Sequence, residues 1–153
     1  MEQRVLVIKV GKGKIISKPW NFEAMCRCDD HRGEQIASMT LDAVCYLFEG
    51  TSATVDYLSR IGKERLFELC RTVQIWYYKD LAGAIDENAH KKNENKDVRL
   101  RSIYKNAFEA YGILPKDLAM CEPKDIFYIF KKDKEELDAK FEIAPEMRVW
   151  YGL

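Results

Sequence analysis

Residues 111–130 read YGILPKDLAMCEPKDIFYIF, and the fold turns on how this stretch is divided. Pro115 and Pro123 each lack a backbone donor and push the residue before them out of helical geometry. One helix is therefore expected to stop near Gly112 and another to start at Pro123. Between them stand Ile113, Leu114, Leu118 and Met120, side chains that a purely solvated connector would not carry. They either plug the core of a small helical protein or form a surface for another chain.

Upstream of this elbow, Leu100, Ile103, Tyr104, Ala107, Phe108 and Tyr111 recur at helical spacing and predict an amphipathic helix ending at Gly112. Downstream, a helix is expected from Pro123 to about Lys140, with Ile126, Phe127, Phe130, Leu137 and Phe141 inward and a charged outer face. Residues 86–97, DENAHKKNENKD, have no apolar period and read as a surface loop. Before that loop, Lys63 to Ala84 is the longest periodic segment. Leu66, Cys70, Val73, Tyr77, Leu81 and Ala84 form its stripe, and Gly62 marks its start.

Thr40 is a candidate cap for a helix to Glu49, with Leu41, Val44, Cys45 and Phe48 inward and Gly50 ending it. A short helix is expected over Ser52 to Arg60, and Asn21 can cap another through Asp29. Only the N-terminus reads as β. Arg4 to Val10 and Lys14 to Trp20 flank Gly11-Lys12-Gly13, the pattern of a hairpin whose glycines supply positive φ. The fold class is therefore mainly α, an N-terminal β-hairpin followed by a bundle of about five to six helices. One domain over 1–153 is expected: hairpin 1–20, helical body 21–85, charged loop 86–97 and C-terminal helices 98–153.

With 25 basic and 25 acidic side chains in 153 residues, the formal net charge is zero. A dedicated nucleic-acid surface normally shows as a basic excess. The Arg60, Lys63, Arg65 and Arg99, Arg101, Lys105 clusters could meet phosphates in a helix-turn-helix protein, but neither makes a long basic face. Five cysteines, an odd number set mostly in apolar stripes, read as reduced thiols. No apolar run approaches the roughly 20 residues of a membrane span. A soluble, cytoplasmic protein is expected.

Signatures of chemistry are thin. Cys26, Cys28 and His31 are zinc-ligand types, but on a helix Cys26 and Cys28 point about 200° apart and no second ligand pair follows at metal spacing. His31 and His90 are the two histidines, and neither lies in a recognisable nucleophile context. Gly11-Lys12-Gly13-Lys14 lacks the longer loop and following helix of a phosphate cradle, and the acidic pairs do not match a calcium loop. No catalytic residue, metal or cofactor is expected. The aromatic content says more. Ile75-Trp76-Tyr77-Tyr78 and the run from Ile126 to Phe130 cannot each face a single core, so they imply helices buried on several sides or an exposed adhesive surface.

The sequence Ala110-Tyr111-Gly112, then Ile113-Leu114-Pro115-Lys116-Asp117-Leu118, Met120 and Glu122-Pro123-Lys124-Asp125-Ile126, resembles the C-terminal motif of tail assembly chaperones from long-tailed bacteriophages and prophages. The layout of a short hairpin, then Trp20-Asn21-Phe22-Glu23-Ala24-Met25 and a helical body, is similar as well. Cys121-Glu122 stand where the family has a Thr cap, and Ala119-Met120 where an aromatic usually follows. The resemblance implies a noncatalytic role in virion assembly in the bacterial host cell: coating the tape measure protein, helping to recruit tail tube protein, and acting as a homo-oligomer where several copies line one partner. Ile113, Leu114, Leu118, Met120, Phe127 and Phe130 are the expected partner-binding residues. The alternative is a helical protein-interaction or regulatory domain of a mobile element.

Overall fold

A computed structural model describes residues 3–84 and 99–127. The expected loop 86–97 with His90, the helix beyond Phe127 with Phe130, Leu137 and Phe141, and the tail from Ile143 lie outside the described residues. The protein is mainly α, with an antiparallel two-stranded hairpin at its N-terminus. Strands β1 (Val7–Val10) and β2 (Gly13–Ile16) pair Val7 with Ile16 and Val10 with Gly13, around a two-residue turn in which Gly11 takes φ +57°. A positive φ at the first central position suits a glycine. Gly13, expected to share that role, lies in β2 instead.

The strands are shorter than the apolar runs because Pro19 cannot donate to a ladder. Ser17 still pairs with Leu6 through its amide (2.9 Å), and its hydroxyl accepts the Leu6 amide at 2.8 Å. Lys18 then turns its amide to the Leu47 carbonyl (2.8 Å), and pairing resumes one residue out of step, with the Trp20 amide on the Arg4 carbonyl (2.7 Å). This bulge carries the chain off the hairpin and into the helical layer, and it satisfies a carbonyl at the end of the second helix.

Helix α1 (Phe22–Asp30) starts where Asn21 accepts the Ala24 amide with its side chain at 2.9 Å, a donor that would otherwise be orphaned. It packs against α2 (Ile36–Leu47), and α2 packs against α4 (Lys63–Ala84); α3 (Val55–Arg60), capped by Thr54, links them. Helix α5 (Ser102–Tyr111) and the short α6 (Pro115–Ala119) close the other side of α1, and residues 123–127, the last of those described, are helical. Because neighbours approach α1 from several sides, Phe22, Ala24, Met25, Cys26 and Cys28 are all buried.

Two sequence expectations shift. Helix α2 begins four residues before Thr40, whose hydroxyl bonds back to the Ile36 carbonyl at 2.9 Å in the helix interior instead of capping. Its buried face accordingly runs through Met39, Ala43, Val44 and Leu47, with Val44 and Phe48 inward as expected and Leu41 turned to solvent. In α5, Ile103 and Ala107 are buried while Phe108 and Tyr111 are exposed, narrowing the stripe to about half of its expected width. Among the described residues, no helix is long and apolar enough to cross a membrane.

Candidate functional site

The elbow is rigid on both flanks. At the end of α5, Gly112 takes φ +69° and donates to the Phe108 carbonyl at 2.9 Å, while Ile113 donates to the Ala107 carbonyl at 3.4 Å; the nested pair closes the helix. Leu114 is extended, as a residue before proline must be, and Pro115 then serves as the first residue of α6. The elbow thus contains a helix of its own. A proline ends a helix that precedes it but starts one that follows, and here the second role applies.

After α6, Cys121 presents its carbonyl to the Phe22 amide at 2.9 Å, filling an open donor at the start of α1. Glu122 accepts from Arg4, Pro123 is buried, and Ile126 is packed into the core.

This backbone sorts the expected partner-binding residues into two groups. Leu118 is buried, and Ile113 and Phe127 are half-buried against the core, with the Phe127 ring edge-on to Phe22 at 6.4 Å. Leu114 (43% exposed) and Met120 (59%) face solvent. They are joined by two aromatics assigned from the sequence to the core, Phe108 and Tyr111 (53% and 40%). Phe130 lies outside the described residues. The four-residue run on α4 is sorted likewise: Tyr77 is buried, Trp76 half-buried 5.7 Å from Trp20, and Ile75 and Tyr78 exposed.

Beneath the elbow lies a polar framework that the sequence reading passed over. Asp29 is fully buried in α1, where one carboxylate oxygen accepts the Tyr77 hydroxyl at 2.9 Å and the other the Leu100 amide at 2.7 Å. Asp80 is buried in α4 and receives both Arg4 guanidinium nitrogens, at 3.0 and 2.8 Å, and the Trp20 indole N–H at 2.9 Å. Arg101 grips Glu23 with two bonds of 2.9 Å and Asp30 with bonds of 2.6 to 3.2 Å. These pairs tie α5 and the N-terminal strand to α1 and α4. A signal was present in the sequence: Asp80 falls three residues after Tyr77 on the α4 stripe, and Asp29 lies seven after Phe22.

The electrostatics follow from this wiring. Hydrogen bonds to Glu23 and then Asp30 raise the pKa of the Arg101 guanidinium. Burial, reinforced by Asp29, pushes the Tyr77 hydroxyl up, and burial does the same to Tyr104. Burial likewise raises the Cys26 and Cys28 thiols well above their ordinary value, and Cys121 is raised too, by partial burial and then by Asp125. An activated cysteine nucleophile is shifted the opposite way.

His31 caps the end of α1 with its ring between Glu34 (2.6 Å) and Asp42 (3.6 Å). No group of three or more metal-ligating side chains occurs among the described residues. Of the cations considered for phosphate contact, Arg99 donates to the Asp29 carbonyl at 2.8 Å, Arg65 to the Lys9 carbonyl and Arg101 to its carboxylates. No protein-family model, curated protein or solved structure matches this chain.

Proposed function

We propose that the protein is a noncatalytic chaperone of phage or prophage tail assembly, which binds the tape measure protein through apolar helical surface at the elbow and helps to recruit tail tube protein. The observation that carries this reading is the exposure of Phe108, Tyr111, Leu114 and Met120 on a backbone held by a glycine cap, a proline start and the bond from Phe22 to Cys121. Four large apolar side chains within thirteen residues, held out to water on a fixed frame, offer the kind of surface that protein partners cover. The resemblance of residues 110–126 to the tail chaperone motif supplies the partner.

In this reading Leu114 and Met120, with Phe130, contact the partner, while Ile113, Leu118 and Phe127 hold the elbow in shape from beneath. Helix-in-groove capture needs no bond to be made or broken, and several copies can line one long helical client. Co-expression with the tape measure protein encoded nearby tests it. The wild type is expected to co-purify with that protein and keep it soluble, and Leu114→Ser/Met120→Ser to lose it while staying folded. Failure of the wild type to bind overturns the proposal.

A further inference from the structure

A second apolar surface lies away from the elbow. The N-terminal half of α4 runs beside the outer face of α2, and between them is a groove of ≈ 350 Å³. Ile36 and Leu41 from α2 and Leu66 and Phe67 from α4 form its apolar walls, with Cys70 at its base. Phe67 is 61% exposed. Groove volumes of this size hold one or two large side chains of a partner.

Among the described residues, the polar members of the lining are Lys63, Arg71 and Gln74, and none is a carboxylate. Neither Lys63 nor Arg71 makes an ion pair among the described residues, although ion pairs engage most of the arginines around α1. Lys63, Phe67 and Arg71 are successive i+4 positions, so the two cations bracket the phenylalanine about 12 Å apart along the axis. Lys63 also opens α4, where the helix dipole adds positive potential. Lys63 and Arg71 stand on the ridge with Phe67 and border two surfaces: a shallower one shared with Glu64 and Glu68, and the groove, whose described lining holds neither glutamate.

From this charge match we infer that the groove takes an amphipathic helix of another protein, whose apolar anchors sit on Phe67 and whose carboxylates, seven or eight residues apart, meet Lys63 and Arg71. The site goes beyond the elbow reading and holds whichever client the elbow takes. Buried apolar area supplies the affinity, while the cations fix orientation and reject a basic helix.

The probe is a fluorescein-labelled synthetic amphipathic peptide of about 18 residues, long enough to hold helix, with leucines on one face and a glutamate pair eight residues apart beside them. Its control carries lysines in place of the two glutamates. Fluorescence anisotropy with the full chain is expected to show the glutamate peptide binding about tenfold more tightly than the lysine peptide, a preference that shrinks as salt rises. Lys63→Glu/Arg71→Glu is expected to reverse the preference, and Phe67→Ala to weaken both peptides; both variants change exposed residues, and their fold is checked by circular dichroism. Equal binding of the two peptides, or a preference that survives the charge reversal, overturns the charge match. Absence of binding by either peptide overturns the groove. Capture of the tape measure protein is read separately on the elbow variants, so failure of one site is told from failure of the other.

Discussion

The seam between α1 and α4 and the elbow after α5 are inverted with respect to each other. The seam buries two aspartates, Asp29 and Asp80, beside Trp20, Phe22 and Tyr77; the elbow exposes Phe108, Tyr111, Leu114 and Met120. A buried carboxylate is costly unless every lone pair it turns inward meets a donor, and here Tyr77, Leu100, Arg4 and Trp20 supply them. Such pairing tolerates only one arrangement of the strands and helices that bring the donors. The buried carboxylates therefore help to fix how the elements meet around the apolar core, while the elbow's outer side chains Phe108, Leu114 and Met120 are turned to solvent.

That contrast breaks first at Asp29. Asp29→Ala strands the Tyr77 hydroxyl and the Leu100 amide in a dry interior, with an expected loss of about 3–5 kcal/mol in urea unfolding. A loss under about 1 kcal/mol would show that the carboxylate is not the fastening inferred from its bonds. Alkaline pH is the next lever. Cys26 and Cys28 stay protonated in the folded chain above 9.0, their ordinary value, where the unfolded chain has released those protons. The folded state then holds more protons, so these thiols contribute no pH dependence below about pH 9 and lower stability above it by about 1.4 kcal/mol per thiol per pH unit. A Cys26→Ser/Cys28→Ser variant with the same alkaline slope would contradict this.

Asn21→Ala removes the cap on Ala24 and is expected to cost about 1 kcal/mol, measured in the same unfolding experiment. Smallest in stability is Leu114→Ser/Met120→Ser, expected to stay within about 0.5 kcal/mol of wild type because both side chains already face water. Its effect is expected in the proposed partner binding, and a large destabilisation would place these residues with the seam.

Much of this was legible in the chain. Lys63 to Ala84 is helical as its period dictates and starts after Gly62, and Asn21 caps α1 as its side chain allows. Other features were hidden by residues with two physical uses. Thr40 can cap a helix or bond back to the preceding turn within one, and Pro115 can end a helix or begin one; the surrounding packing chose the second in each case. Asp29 and Asp80 were passed over as buried groups because their donors, Leu100 and Arg4, are more than seventy residues away in sequence. At the elbow, spacing alone placed Phe108 and Tyr111 inward, because a heptad-like stripe shows which side chains share a face but not how wide a strip the neighbours cover.

The bond from the Phe22 amide to the Cys121 carbonyl spans nearly the whole described chain. A nascent polypeptide emerging from the ribosome carries the first turn of α1 long before it carries the group that completes it, and Arg4 waits equally long for Glu122. Contacts of such sequence separation form late and slow the search for the native state. Acquisition of the finished structure is thus deferred until translation has passed residue 122. A chain cut short before residue 121 lacks the acceptor for the Phe22 amide and leaves the first turn of α1 incomplete.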